Sequence, residues 1–167
     1  PAQIGHLRDM DLLVLVVRHF ADDAIPHPLN RIDPASDFST FLGECLLADL
    51  ALTEKRLERI EADLKKGGAG AKKEDLEIEK AGLQKIHAAL EQEGPVASVE
   101  LTDPQKKMYK GFGFLSGKPV LPVANSGDLN DSDEKKRFAG LVAEIASWNA
   151  KGVGWKIPEP VPVNAKL

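Results

Sequence analysis

Cysteine is almost absent from the sequence, because Cys45 is the only one in 167 residues. A single thiol excludes an internal disulfide framework and a zinc site built from cysteines alone. The four histidines are scattered without metal-ligand spacing, so we expect no metal site. No apolar run approaches the roughly 20 residues that a membrane-spanning helix needs, and there is no charged-then-apolar leader. We therefore expect a cytoplasmic protein that makes no membrane contact.

The sequence also lacks a strong excess of either acidic or basic side chains, since 26 acidic and 22 basic residues leave a net charge of −4. This mild acidity argues against a protein that coats nucleic acid with its whole surface, although a local basic patch stays open. The length suits one compact domain, or one domain with an extension.

The first firm signal is a run of six aliphatic residues from Leu12 to Val17. The run is too short for a confident helix and reads as a strand buried on both faces, as in parallel sheets. The following stretch, 21–34, holds three prolines and reads as a loop. His19 and His27 flank two aspartates in this region, and we interpret them as parts of a polar loop rather than as metal ligands.

Two helical patterns follow the loop. Asp33 can cap the first helix with Pro34 at its first position, and apolar residues then recur at steps of three and four as far as residue 64. A glycine-rich turn at 67–71 separates this helix from a second one over 73–92. We predict an inserted antiparallel helical hairpin over 33–95, with a narrow seam like that of a coiled coil.

The second half of the chain returns to alternating elements. Asp131 and Glu134 have capping-box spacing at the start of a predicted helix over 132–149. A short apolar strand over 117–125, that helix and a third short strand over 160–163 follow a small helix at 103–110. This order implies parallel strands with crossover helices. We expect an α/β fold with a partial parallel sheet of about three strands, formed by residues 1–32 and 96–167.

Polar tips follow two of the predicted strands. Asn125-Ser126-Gly127-Asp128 follows the second strand, and Asn164-Ala165-Lys166 follows the third. Ligands of open α/β sheets bind at the carboxyl ends of strands, so these tips are the candidate site. The same residue types form ordinary turns, so either tip alone is compatible with a ligand site and with a simple turn.

Four blocks occur in a specific order at plausible separations: Val16-Val17-Arg18-His19-Phe20, Glu44-Cys45-Leu46-Leu47-Ala48-Asp49-Leu50 with Glu54-Lys55-Arg56-Leu57, Lys118-Pro119-Val120-Leu121, and Pro162-Val163-Asn164-Ala165-Lys166. Together they resemble the YchF family, also called Obg-like ATPases, a branch of the P-loop GTPases. The resemblance implies a P-loop GTPase domain interrupted by a helical arm, in a parent protein that hydrolyses ATP or GTP with magnesium and associates with ribosomes.

The resemblance also assigns roles at the two tips. It implies that Asp128 accepts N–H bonds from the base, that Asn125 braces neighbouring loops, and that backbone N–H groups of the second tip face the base. Ser126 stands where the P-loop GTPases carry lysine, and ATP and GTP both stay open. The expected base-binding residues are Asn125, Ser126, Asp128, Asn164, Ala165 and Lys166.

The phosphate-binding motifs of such a protein are missing from this sequence. It contains no Gly-x-x-x-x-Gly-Lys-Ser/Thr loop and no Asp-x-x-Gly. It therefore looks like a fragment, the C-terminal part of a nucleotide domain with its arm, without the family's small C-terminal domain. A base pocket alone offers hydrogen bonds of about 0.5–1.5 kcal/mol each against an association cost of about 4 kcal/mol or more. We expect no hydrolysis by this chain, no tightly bound cofactor and millimolar nucleotide binding at best.

The predicted tip of the arm is basic. Lys65, Lys66, Lys72 and Lys73 flank the glycine turn without an intervening acid. They form either a solvated turn or a surface that contacts RNA or the ribosome. The alternative to a nucleotide-hydrolase fragment is thus a non-enzymatic interaction module whose hairpin docks RNA, ribosome or protein.

The strand at 12–17 is expected to lie at a bare edge of the sheet. An unpaired edge favours association with another strand. We therefore expect either self-association there or coverage by a terminal segment.

Overall fold

The structure, a computed structural model, describes residues 2–27, 29–67, 72–128, 130–151 and 155–165. Three 3₁₀ turns lie at Val96–Ser98, Lys110–Phe112 and Leu115–Gly117. The helices and strands, in chain order, are α1 (Ala2–Leu7), β1 (Leu13–Arg18), α2 (Pro34–Lys65), α3 (Lys73–Glu91), α4 (Asp103–Tyr109), β2 (Val120–Asn125), α5 (Ser132–Lys151) and β3 (Val161–Val163). None of these described helices is long and apolar enough to cross a membrane.

The three strands form one parallel sheet in the order β1-β2-β3. The predicted α/β fold with a partial parallel sheet is confirmed, and β1 lies at an edge as expected. Pro122 occupies the central strand although it has no N–H to donate. It is tolerated because β3 pairs only with Val123–Asn125, so Pro122 lies beyond the end of that ladder.

Only one face of the sheet is covered by helices in the described part of the chain. Leu13 and Val17 of β1 and Ala124 of β2 are buried on that face. Val14 and Val16 point to the other face and are 55% and 58% exposed. The prediction that the first strand is buried on both faces is therefore wrong, because no described segment packs on its second face.

Helix α2 begins where its capping residues predict. Asp33 accepts a hydrogen bond from the Ser36 amide at 3.1 Å, and Pro34 is the first helical residue. The first turns of α2 pack on β1 and α5, where Phe38 and Leu42 are fully buried. The hairpin predicted from residue 33 is therefore docked on the sheet domain over its first turns. Cys45 is buried there, and burial raises the pKa of its thiol to about 12.

Beyond these turns, α2 and α3 run antiparallel side by side. Ion pairs join Glu54 to His87 at 3.5 Å and Glu61 to Lys80 at 3.0 Å, so residue numbers rise along one helix as they fall along the other. The seam between the helices is apolar and contains the buried side chains Ile60, Leu76, Leu83 and Ile86.

Candidate functional site

The two polar tips lie against each other at one end of the sheet. The Asn164 side-chain amide donates to the Gly127 carbonyl at 2.8 Å, and the Ala165 amide donates to Asn125 Oδ1 at 3.3 Å. The Ser126 amide donates to the Val163 carbonyl at 2.8 Å and extends the ladder between β2 and β3. Because the strands are parallel and Asn125 pairs with Val163, their carboxyl ends meet at the same edge.

The turn after β2 is held from below by a buried carboxylate. Glu134, in the first turn of α5 and 6% exposed, accepts hydrogen bonds from the Gly127 amide at 3.0 Å and the Asp128 amide at 3.3 Å. A Cβ on Gly127 would lie 3.0 Å from Glu134 Oε1 and 3.1 Å from Phe20 Cβ, so the turn leaves little room for a side chain. The sequence reasoning missed this role of Glu134 because it treated the residue as part of a capping box.

Only half of that predicted capping box is present. Asp131 Oδ1 accepts the Glu134 amide at 2.9 Å, and this backbone hydrogen bond is the main reason why the pKa of Asp131 is lowered. The Asp131 amide instead donates to the Asp128 carbonyl at 3.0 Å. The Glu134 side chain is therefore available to brace the turn.

Two of the expected base-binding residues differ in what their side chains can reach. Asp128 is exposed, and its Oδ1 accepts the Asn130 amide at 2.8 Å, which leaves a second lone pair on that oxygen. Ser126 is 2% exposed, and its hydroxyl has no hydrogen-bond partner among the described residues. Its side chain points into the protein, so only its backbone is available to a ligand at this tip. Lys166 lies outside the described residues.

His19 is buried beneath the same turn rather than placed in a polar loop. Its amide donates to the Asn125 carbonyl at 2.8 Å, and its own carbonyl accepts from Arg137 Nε at 2.8 Å. Both ring nitrogens lack a partner among the described residues, and burial lowers the pKa of the imidazole. Burial therefore favours the neutral form of the His19 imidazole. No group of three potential metal ligands occurs in the described part of the chain.

A cleft of about 320 Å³ lies on the α5 side of the turn. Neither Asn164 nor Ala165 lines it, so it is distinct from the junction of the two tips. Its charged lining is mainly acidic, with one arginine at the rim, and the lining residues are Phe20, Ala21, Gly127, Asp128, Asp131, Asp133, Glu134 and Arg137.

The four lysines predicted at the arm tip lie at one end of the hairpin. Lys65 and Lys66 end α2, and Lys72 and Lys73 begin α3. All four are exposed, and none forms an ion pair with another described residue. Because α2 and α3 are antiparallel, both pairs lie at the end that is distant from the sheet.

The comparisons with known proteins match this chain over most of its length. The ribosome-binding ATPase YchF of Bacillus subtilis (strain 168) is 36% identical over 151 residues, which cover 85% of this chain and 40% of that relative. The ribosome-binding ATPase YchF of Haemophilus ducreyi is 34% identical over 143 residues, which cover 86% of this chain and 38% of that relative. No family model matches the chain.

A solved structure shares the fold. The YchF GTPase of Schizosaccharomyces pombe superposes with a TM-score of 0.70 at 23% identity, covering 98% of this chain and 42% of that one. The parallel sheet of this chain thus has the fold of the corresponding segment of that GTPase. Over the matched residues, the chain is similar to YchF proteins at 34% to 36% identity, which confirms the resemblance that the sequence predicts. It spans about two-fifths of the length of these relatives.

Proposed function

We propose that this chain is the base-recognition part and the helical arm of a YchF-type nucleotide hydrolase. The observation that carries the proposal is the contact between the two tips, in which Asn164 bonds Gly127 and Ala165 bonds Asn125. The complete protein would hydrolyse ATP or GTP with magnesium. The names of the relatives favour this interpretation over a purely non-enzymatic interaction module.

The chain divides into two units that have different proposed roles. Residues 1–32 and 96–167 form the nucleotide-binding unit, and residues 33–95 form the arm, which is a coiled coil beyond its docked first turns. The apolar sheet face that carries Val14 and Val16 supports the fragment interpretation, since a large exposed apolar patch is typical of a surface that another segment covers.

The residues of the proposed base site divide into contacts and supports. Asp128 presents its carboxylate to N–H groups of the base, and Lys166 stays a predicted contact. The Ala165 amide donates to Asn125 Oδ1 at 3.3 Å and so supports the second tip against the first. Asn125 holds the two tips together through its side-chain oxygen, and Asn164 does so through its amide. Ser126 contributes through its backbone, because its side chain is buried.

The chain alone is expected to bind nucleotides weakly and to hydrolyse none. Phosphate and magnesium contacts normally come from the P-loop, and the sequence contains no such motif. A few base hydrogen bonds of about 1 kcal/mol each do not offset an association cost of about 4 kcal/mol or more. Calorimetry with MgATP and MgGTP should therefore give dissociation constants in the millimolar range or weaker, and micromolar binding would contradict the proposal.

Base recognition can be tested without phosphates. Titration of ¹⁵N-labelled chain with guanosine and with adenosine should shift the amide signals of Gly127, Asp128 and Ala165 first. The Asp128→Asn variant should weaken the response to guanosine, because one acceptor oxygen becomes a donor. Asp133→Asn, an equally exposed change in the neighbouring helix, is the matched control. Equal responses of the two variants would remove Asp128 from the site.

The arm tip supports the ribosome-linked part of the proposal. Four exposed lysines at one end of a hairpin present positive charge that can neutralise RNA phosphates. Such a role places the protein in the cytoplasm. In co-sedimentation with ribosomes, Lys72→Glu/Lys73→Glu should reduce binding, and the control Lys106→Glu/Lys107→Glu on α4 should not. Equal loss in both variants would indicate non-specific charge attraction instead.

A further inference from the structure

A fully buried carboxylate lies where the arm joins the sheet domain. Asp49 of α2 has no exposed surface and accepts hydrogen bonds from the Leu115 amide at 3.0 Å and from the Ser116 amide and hydroxyl, each at 2.8 Å. Its fourth donor is the Arg8 guanidinium, at 2.9 Å from Oδ1. Asp49 therefore joins the arm to two segments that lie more than 40 residues away in the sequence.

The same network also reaches the second helix of the arm. The Ser116 hydroxyl accepts the Val96 amide at 3.1 Å, and Val96 follows shortly after the end of α3. Asp49 and Ser116 thus fix both connections between the arm and the sheet domain. A change at this junction therefore acts on both helices of the hairpin, because Asp49 lies in α2 and the Ser116 hydroxyl that it binds also holds Val96, which follows α3.

Arg8 belongs to a segment, residues 8–10, that we name the strap. Besides Asp49, its guanidinium donates to the Ala48 carbonyl at 3.1 Å and the Gly113 carbonyl at 3.2 Å. Lys118 Nζ donates to the carbonyls of Arg8 at 2.8 Å and Met10 at 2.6 Å. Leu7, the last residue of the preceding helix α1, is half-buried against the core. The strap is therefore held by these polar contacts next to an apolar anchor at Leu7.

Gly113 makes the close approach of the strap feasible. Its φ is +60°, in the left-handed region that favours glycine. A Cβ at this position would lie 2.6 Å from the Arg8 carbonyl oxygen, which is backbone and cannot rotate away. The loop is therefore shaped to receive the strap.

The four donors of Asp49 are not equivalent. The Arg8 side chain is 22% exposed and lies at the rim, whereas the three donors from residues 115 and 116 are buried. Withdrawal of Arg8 leaves the carboxylate hydrogen-bonded but removes its cationic partner. A buried charge without a counter-charge is costly, so withdrawal of Arg8 weakens the junction, while the three buried donors still hold the carboxylate.

We propose that the Arg8–Asp49 contact is a releasable latch that sets the direction of the helical arm. With the strap bound, the hairpin is fixed relative to the sheet. When a ligand or another protein segment draws the strap away, the hairpin gains freedom beyond the first turns of α2, which stay docked on β1 and α5. The latch is a property of these residues and does not depend on nucleotide binding by the chain.

The test measures the arm direction in the chain itself. Spin labels on Lys66→Cys, at the arm tip, and Asp133→Cys, at the start of α5, report the distance between arm and sheet. The native Cys45 stays unlabelled because it is buried and its thiol pKa is raised to about 12. Hydrogen exchange of the Leu115, Ser116 and Val96 amides reports the junction directly.

Arg8→Gln should broaden the distance distribution and speed exchange of the three junction amides at least about tenfold, which is the effect of losing about 1.4 kcal/mol of protection. Gly113→Ala, which displaces the strap by a different route, should do the same. The control Arg31→Gln removes an arginine that pairs with Asp33 and Asp37 at the start of α2, away from the junction, and should leave both readouts unchanged.

Three results would overturn the latch. Unchanged distances and exchange in Arg8→Gln would show that the contact is a passive surface pair. Equal changes in Arg31→Gln would show a general effect of lost charge. Failure of Arg8→Gln to fold, judged by circular dichroism, would show that Arg8 is required for the fold rather than releasable from it.

Discussion

The close contact between α3 and α4 allows us to predict how a substitution at one helical glycine changes stability. Gly82 lies in α3, and a Cβ there would come within 2.2 Å of the Tyr109 hydroxyl and 2.9 Å of the Gln105 side chain. Neither neighbour is free to move. The Tyr109 hydroxyl donates to the Glu79 carbonyl at 2.5 Å, and its ring packs edge-on against two phenylalanines.

Two opposed effects decide whether Gly82→Ala raises or lowers the free energy of unfolding. Alanine improves helix propensity by about 1 kcal/mol over glycine. Overpacking costs about 1–3 kcal/mol, and a displaced hydroxyl that leaves a buried carbonyl unpaired costs about 1–3 kcal/mol more. The net expectation is a loss of about 1–5 kcal/mol in the free energy of unfolding. A Cβ added at Gly140 of α5 would meet nothing within 4 Å, so Gly140→Ala should gain up to about 1 kcal/mol.

Urea unfolding followed by circular dichroism measures both variants. A second readout is available because Tyr109 is the only tyrosine. Burial raises the pKa of its hydroxyl to about 12, so displacement toward solvent in Gly82→Ala should bring the onset of tyrosinate absorbance to lower pH. If Gly82→Ala stabilised the protein as much as Gly140→Ala does, the close packing between α3 and α4 would be refuted.

Three further changes test other parts of the structure. Arg56 binds Glu79, which is 8% exposed, through two hydrogen bonds of 2.6 and 2.7 Å. Arg56→Met leaves this carboxylate without its partner and should lower the free energy of unfolding by about 2–3 kcal/mol. Urea midpoints measure the loss, and a loss near zero would contradict the expectation. Burial lowers the pKa of His19, so the unfolded chain takes up the proton first, and the stability contributed by the neutral ring is lost as the pH falls below 6.5. His19→Leu should therefore flatten the decline of urea midpoints on the acid side. An unchanged slope would show that His19 does not cause this decline. At the free edge of β1 we expect either self-association or coverage by a terminal segment. Self-association detected by sedimentation should be abolished by Val16→Lys but not by Leu47→Lys, a similar change at an exposed position of α2, and a monomer with an uncovered edge would contradict the expectation.

Much of the fold could be predicted because local signals agreed with the tertiary packing. The aliphatic run of β1, the Asp33 cap with Pro34 and the glycine break after α2 each specify one element locally. The exposure of Val14 and Val16 could not be predicted in the same way. An aliphatic run indicates that a strand is suited to burial on both faces, but not which other segment covers the second face.

The candidate site was only partly accessible to sequence reasoning. The two tips could be located because each directly follows a strand, and parallel strands end at one edge. The buried roles of His19, Glu134 and Asp49 were missed for a common reason. The Asp49 carboxylate binds backbone groups far away in the sequence, the Glu134 carboxylate binds loop amides, and the His19 ring packs beside Phe138. No pattern in the sequence reports such contacts.

The central claim is that the junction of Asn125 with the second tip is the base-binding end of a nucleotide pocket. Intermolecular nuclear Overhauser effects between guanosine or adenosine and ¹³C,¹⁵N-labelled chain test it most directly. The account predicts contacts from base protons to the Ala165 methyl group and the Gly127 α-protons. Contacts confined to the acidic cleft beside α5, at Asp133 and Arg137, or to the arm would contradict it.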